Sequence, residues 1–323
     1  MCRLSMKHTA LALAIALVQL PAFAAGKTIN AEREVSANEK IDIEVQSGAV
    51  NIVGTSAAKF IVTGELDEQA KGFELESAGG STRFVVKMPR STSYWGDNDK
   101  TEGSQLDIQV PVGAVLRFTG VNTEVVVKGV AGGTRLKTVN GNVTAQELKE
   151  DIALETVNGD ITSANNHGRL QLTTVNGSIR DQGSQGRRLN VESVNGEIRL
   201  NSRAEEVNFS VVNGEGELTL TGTSRLELSS VNGEVSAVLK ESKTPKINGS
   251  SVSGSTRLTL DKDINARFEL EASAGGSISN SLTNDKAEKA KFGPSSDLNF
   301  TTGSGDGEVE ISTVSGDIDI RSH

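Results

Sequence analysis

The chain of 323 residues carries 33 basic and 42 acidic side chains, a formal net charge of −9, and it contains no basic block. This charge disfavours binding to the phosphate backbone of nucleic acids. Glycine is abundant at 34 residues, whereas Phe, Trp and Tyr together make up only 3% of the chain, so a core must be built from small aliphatic side chains.

Residues 1–24 have the pattern of a secretory signal peptide. Arg3 and Lys7 form a short positive segment, an uncharged apolar run follows at residues 9–20, and residues 21–24 supply a site for cleavage near Ala24–Ala25. The run is too short for a spanning helix. We therefore expect a mature protein without a membrane span that is periplasmic, secreted or bound at the cell surface.

Residues 25–118 predict irregular N-terminal β coils. Residues 41–45, 60–62, 83–87 and 106–110 alternate between apolar and polar or form short apolar runs, as strands do, and glycine-rich turn clusters lie between them. A stacked repeat needs such a segment to cover its end.

The stretch 91–104 is the most loop-like part of this segment, and it contains the candidate ligand-binding residues Tyr94, Trp95, Asp97 and Asp99. Aromatic rings with a polar atom stack on sugars or on partner side chains, although the two rings could equally plug the end of the coils. The two carboxylates suit Ca²⁺, but the spacing of an EF-hand is absent, and we predict no metal site and no cofactor.

An internal repeat dominates residues 119–323. The tripeptide V-N-G occurs six times, and successive valines are separated by 18, 18, 19, 18 and 19 residues. V-S-G at Val252 and Val314 continues the motif, V-N-T at Val121 is a degenerate copy, and a polar insertion at residues 284–294 interrupts the final units. Aliphatic residues recur three positions before and four positions after the valine, and Thr or Ser usually precedes it.

Two architectures fit this pattern. N-G between alternating runs is a strong hairpin signal and would give an antiparallel meander. A solenoid instead stacks identical residues on one another in successive coils. Because the same residue types recur in each column, we favour an all-β fold, a right-handed parallel β-helix with coils of about 18 residues.

The asparagines of the motif predict a structural ladder. In a solenoid each side chain can donate to the amide of the neighbouring coil, and we expect these hydrogen bonds to be buried, with Asn140 at one end. The ladder consists of Asn140, Asn158, Asn176, Asn195, Asn213 and Asn232.

The run at residues 107–113, the V-N-G units and the segment Thr313 to Ile318 resemble the bacterial putative-adhesin family. That family consists of envelope proteins made of β-strand repeats and is formally a domain of unknown function. The resemblance implies a secreted β-helical protein, and it supplies no catalytic residues.

Few residues suit catalysis, and we predict none. After residue 24 the chain has no cysteine, and its only histidines are His167 and His323, neither of which lies in a nucleophile or metal motif. Glu197, Glu215 and Glu234 follow successive V-N-G motifs and would stack about 5 Å apart. Such a row could serve a polysaccharide lyase or hydrolase, or it could be a solvated acidic edge relieved by nearby arginines.

The sequence therefore predicts a non-enzymatic, adhesin-like protein that acts in envelope interaction, adhesion or scaffolding. Its expected partner is an envelope or cell-surface protein or glycan. The alternative is a polysaccharide-active β-helix enzyme.

Overall fold

A computed structural model describes residues 28–89 and 103–323, and these residues form 25 strands that belong to one continuous sheet. The described ranges contain no helix that is long and apolar enough to cross a membrane. The predicted signal peptide and the loop from Tyr94 to Asp99 lie outside the described residues.

The first seven strands form one end of the molecule: β1 (Thr28–Glu34), β2 (Lys40–Thr55), β3 (Lys59–Glu65), β4 (Phe73–Ala78), β5 (Ser81–Val86), β6 (Ser104–Pro111) and β7 (Val115–Lys128). Strand β2 lies inside this group, because it pairs in parallel with β5 and β6 on one side and with β7 on the other. Antiparallel strands cover the outer edges, with β4 on β5, β3 on β6 and β1 on β3.

The next ten strands carry the V-N-G repeat: β8 (Thr134–Lys137), β9 (Val143–Gln146), β10 (Lys149–Asn158), β11 (Ile161–Ala164), β12 (His167–Asn176), β13 (Ile179–Asn195), β14 (Ile198–Asn213), β15 (Gly216–Thr221), β16 (Arg225–Asn232) and β17 (Val235–Lys240). They form two walls of parallel strands. The first wall contains β8, β10, β12, the second halves of β13 and β14, and β16. The second wall contains β9, β11, the first halves of β13 and β14, β15 and β17.

This pairing excludes the antiparallel meander for the repeat. Each V-N-G asparagine pairs in parallel with its equivalent in the next unit, as Asn158 does with Asn140 and Asn176. The prediction of an all-β, solenoid-like stack of repeats is therefore confirmed.

The last eight strands do not stack in chain order: β18 (Lys246–Ser253), β19 (Thr256–Leu260), β20 (Ala266–Ala272), β21 (Ile278–Asn280), β22 (Glu288–Lys289), β23 (Ser296–Thr302), β24 (Gly307–Ser315) and β25 (Ile318–Ser322). Strand β24 lies between β18 and β20, and β25 lies between β19 and β21. The coil of β24 and β25 is thus an inner one, and the antiparallel β23 covers β20.

The core lies between the walls and is built from two apolar columns. The residues three before each valine, from Leu136 to Leu228, are buried, and so are the aliphatic residues four after it, from Val143 to Val235. In one unit the first column holds a larger side chain and the second a smaller one. Phe209 occupies the position where most units have Leu, and Gly216 occupies the position where they have Ile or Val. A Cβ on Gly216 would lie 2.4 Å from Phe209 Cζ, so the ring fills the space that the glycine leaves.

The glycine of the motif allows the coils to approach each other closely. Gly177 has a φ of +157°, and a Cβ at this position would lie 2.0 Å from the carbonyl oxygen of Gly159 in the adjacent coil. The threonine of the motif points inward at the same corner. Thr174 Oγ1, for example, donates to that same Gly159 carbonyl at 3.1 Å and so satisfies a backbone group where the chain bends.

Candidate interaction surface

The V-N-G corner forms one long exposed edge of the stack, which we call the V-N-G edge. Both the valine and the asparagine point outward there, because the chain bends after the inward threonine. Seven valines of the motif are between 36% and 48% exposed, namely Val121, Val139, Val157, Val194, Val231, Val252 and Val314. Isolated exposed apolar side chains are ordinary, but a straight row of them is a feature of binding surfaces.

The asparagines run beside these valines as a continuous chain of side-chain hydrogen bonds. Each Nδ2 donates to Oδ1 of the preceding coil, with distances of 2.7 to 3.1 Å from Asn140 to Asn232. Two expectations were wrong. Asn140 is not the end, since it donates to Asn122, and the amides are exposed rather than buried. Each bond is therefore worth less than in a dry interior.

The outer surface of the first wall is a second regular surface, which we call the polar face. Its middle line of residues runs in register along the wall, and we call the ten members from β7 to β20 the central row. Next to this row, Asp42 of β2 lies beside Arg117, with 3.8 Å between Asp42 Oδ1 and Arg117 Nε. In stacking order the central row consists of Arg117, Arg135, Ala153, Gln171, Asn190, Asn208, Glu227, Asn248, Glu310 and Glu269. It thus changes from basic through neutral amides to acidic.

Two shallow depressions lie on the polar face. One of about 630 Å³ contains Arg117 and Arg135 in its lining, and the other, of about 570 Å³, contains Glu227, Glu269 and Glu310. Arg135 and these three glutamates make no ion pair with any residue in the described ranges. The neighbouring Glu308, then burial and Glu269, raise the pKa of Glu310, as expected where negative charges lack a counter-ion.

The acidic column after the V-N-G motifs is neutralised in large part. Arg199 contacts Glu197 and also Glu217, and Arg257 Nη1 lies 2.6 Å from Glu234 Oε1. Glu215 and Glu234 occupy adjacent coils, where the Gly216 amide donates to the Glu234 carbonyl. These contacts are those of a solvated edge with arginine partners. Such exposed pairs contribute little to stability.

The histidines do not extend this column into a catalytic arrangement. His167 is exposed at the start of β12, and His323 Nε2 lies near the Leu239 carbonyl oxygen and Asp261 on the second wall. No group of three His, Cys, Asp or Glu residues in the described part of the chain is placed to hold a metal ion.

A carboxylate lies inside the repeat part of the stack. Asp181 is 2% exposed and occupies an inward column of the second wall between Ser163 and Leu200. Ser184 Oγ donates to its Oδ1 at 2.5 Å, while its Oδ2 is buried with no hydrogen-bond partner among the described residues. Burial raises the pKa of Asp181 to about 6.

The candidate residues of the sequence analysis thus divide into two groups. The six ladder asparagines lie together on the V-N-G edge, while Tyr94, Trp95, Asp97 and Asp99 are outside the described residues. The polar face was not foreseen. Its signal was available, because the residues four positions before each valine fall on the central row once the units are aligned.

Solved structures that align with most of this chain share little sequence with it and have TM-scores below 0.5. A lipid-binding protein from Parabacteroides distasonis, so described provisionally, is 13% identical with a TM-score of 0.48, and 93% of this chain and 98% of that chain are aligned. A putative adhesin from Bacteroides fragilis is 13% identical with a TM-score of 0.39 over 91% and 97% of the two chains. A putative cell adhesion protein from Clostridium sporogenes is 11% identical with a TM-score of 0.24 over 92% and 100%.

No protein among those with curated functions matches the chain. The family comparison, in contrast, covers nearly all of the described residues and confirms the resemblance drawn from the repeat motifs. The pattern of one family matches residues 38–321, and the chain accordingly belongs to the Toastrack family, DUF4097.

Proposed function

We propose that this protein is a secreted or periplasmic, non-enzymatic, adhesin-like protein that acts by binding an envelope or cell-surface protein or glycan. The proposal includes a right-handed winding of the coils, the usual sense for parallel strands joined by crossovers. It also keeps the division into irregular coils up to residue 118 and repeats from residue 119.

The V-N-G edge is the observation that carries this proposal. Each of the six V-N-G coils presents a solvent-accessible valine beside the same hydrogen-bonded amide. A contact made at one coil is therefore available again about 4.8 Å further along the stack. Repeated weak contacts with one extended or multivalent partner add to a strong attachment, which is what adhesion or scaffolding requires.

Binding to envelope fragments tests the edge directly. A triple variant, Val157→Ser, Val194→Ser and Val231→Ser, should lose binding because it removes apolar contact from three coils. The matched control, Thr162→Ser, Thr219→Ser and Ser236→Ala, changes three outward side chains of the second wall and should bind as the unchanged protein does. Equal binding by both variants would exclude the V-N-G edge as the contact surface.

The location is tested separately by fractionation. Blotting cell fractions should find a chain shortened by about 24 residues outside the cytoplasm. A full-length chain in the cytoplasm would contradict an envelope role whatever the binding result.

The enzymatic alternative has its own assay. We expect the purified protein to leave acidic and neutral polysaccharides uncleaved. Turnover that disappears in Glu215→Gln or Glu234→Gln would replace the binding proposal with a catalytic one.

The aromatic pair of the 91–104 segment provides a further contact to test. If Trp95 recognises the partner, Trp95→Ala should reduce binding and change the free energy of unfolding by less than about 0.5 kcal/mol. A large loss of stability with unchanged binding would instead identify Trp95 as a plug of the stack.

A further inference from the structure

The charges of the central row are antisymmetric about its midpoint. Arg117 and Arg135 occupy its first two positions, and Glu269 and Glu310 occupy the corresponding last two. Beyond these ten positions the line of residues continues through Asp42 on one side and Asn299 on the other, which would face each other. Only neutral residues occupy the four positions that follow the arginines. A second copy turned end for end would therefore place each arginine opposite a glutamate.

A twofold axis produces this arrangement when it lies between two facing polar faces and runs along the strands. Rotation about it reverses the stacking order but keeps each row opposite its own copy. Arg117 of one chain then faces Glu269 of the other, Arg135 faces Glu310, and Asn190 faces Asn208. Such an interface is isologous, because every contact occurs twice.

A second row of outward residues lies two positions before the central row on each strand, and its charges are compatible with the same axis. Asp151 would face Lys246, and Arg188 would face Glu206, both with opposite charges. Asp151 and Arg188 also have partners within their own chain, Arg169 at 2.7 Å and Glu206 at 2.6 Å, so these contacts orient the pairing less than those of the central row. One like-charged pair arises, Arg169 opposite Arg225. Arg169 is already neutralised within its own chain, since it makes two hydrogen bonds of 2.7 Å to Asp151.

Within the ten strands, the row on the V-N-G side places no like charges opposite each other. At the next position Glu44 would face Asp297, and Glu44 is paired with Arg83 of its own chain at 2.9 Å. Lys137 would face Ser312, Glu192 would face Ser210, and Glu271 would face Thr119. A polar surface of serines and amides with charges at its ends suits a wet interface, in which water bridges many contacts.

The size of the polar face also fits a dimer. Ten strands at about 4.8 Å and six residues at about 3.3 Å cover roughly 45 Å by 20 Å. This is about 800 to 900 Å² on each chain, close to the area that specific protein–protein interfaces bury per partner. The basic depression of one chain would lie against the acidic depression of the other.

We propose that the polar face is a self-association surface, on which a second copy of this chain docks antiparallel with Arg117 and Arg135 against Glu269 and Glu310. The charges direct the pairing and fix its orientation, as complementary potentials do in other interfaces. This proposal does not depend on the adhesin-like function, because it concerns a different surface.

Charge exchange tests the proposal on protein purified from cells that express the full chain. One variant, Arg117→Glu with Arg135→Glu, has acidic groups at both ends of the row. The other, Glu269→Arg with Glu310→Arg, has basic groups at both ends. Each alone should dimerise at least tenfold more weakly than the unchanged protein in sedimentation equilibrium, and an equal mixture of the two should form a mixed dimer.

A control variant separates this pairing from a general effect of net charge. Arg180→Glu with Arg203→Glu makes the same change of charge at exposed sites outside the polar face and should dimerise normally. Higher salt should weaken the dimer, because the end contacts are exposed to solvent. All altered residues are exposed, and circular dichroism verifies that each variant is folded.

Three results would overturn the proposal. The first is a protein that stays monomeric at low salt up to about 1 mM, above the concentration at which weak interfaces associate. The second is a dimer that both exchange variants leave unchanged. The third is a pair of monomeric variants whose mixture also remains monomeric, which would show that the charges do not face each other.

Discussion

Asp181 makes the stability of this protein depend on pH in the opposite sense to a salt-bridged carboxylate. Its pKa is raised from 3.8 to about 6 because burial penalises the charged form. Between these two values the folded protein binds more protons than the unfolded chain. The free energy of unfolding therefore falls as the pH rises through this range, and the full cost is present above the folded pKa.

The magnitude follows from the shift. A rise of about two pKa units corresponds to roughly 3 kcal/mol at 1.36 kcal/mol per unit. Asp181→Asn cannot ionise, so its stability relative to the unchanged protein should improve by about this amount between pH 4 and pH 7. The stability difference at any single pH also includes the cost of burying the amide of the new side chain. Only the change of this difference with pH reports the ionisation of the carboxylate.

The assay is urea unfolding at several pH values between about 4 and 7 for the unchanged protein, Asp181→Asn and a control. Glu124→Gln is the control, since it removes an exposed carboxylate from β7. Its difference from the unchanged protein should stay nearly constant. A difference for Asp181→Asn that also stays constant within about 0.5 kcal/mol would refute the argument from burial.

Three further sets of substitutions test the repeat itself by urea unfolding. Gly177→Ala should destabilise the protein by more than about 3 kcal/mol, because its Cβ would lie 2.0 Å from a carbonyl oxygen. The control Gly222→Ala has open space around its Cβ and should cost about 1 kcal/mol for its positive φ alone. Equal losses would contradict the argument from close approach of the coils. Phe209→Leu and Gly216→Val should each destabilise singly, while together they restore the usual pair of the other units, and additive losses would show that the two sites are independent. Asn176→Ala breaks two exposed ladder bonds and should cost about 1 kcal/mol, about twice the cost at the C-terminal end of the ladder, and no dependence on position would count against the ladder.

The stacking of the repeat was predictable because it follows from local sequence. Identical residues recurred at fixed offsets from each valine, and only parallel stacking brings such residues together. The outward position of the ladder was not predictable in the same way. Val175 and Asn176 are adjacent, and strict alternation would have turned one of them inward. The bend after the inward Thr174 turns both toward solvent.

The surfaces and ends were harder to predict for physical reasons. The central row changes from Arg135 to Glu310 along the stack, so it carries no repeating signal even though every member occupies the same position in its unit. Asp181 was visible as the one acidic residue in a column that holds Ser163 and Leu200. Its consequence depended on burial, which the sequence does not give.

The position of the coil formed by β24 and β25 has a consequence for how the protein is made. Residues 266–280 leave the ribosome before residues 307–322, yet their first-wall partner on the stack side is β24. The earlier segment therefore has no surface to dock on until the later one arrives and enters between it and residues 246–260. The coils from β7 to β19 can stack one after another in chain order, but the coils after β19 cannot. We expect the final step to join segments about 40 to 60 residues apart, and this end of the molecule to open as a unit rather than coil by coil.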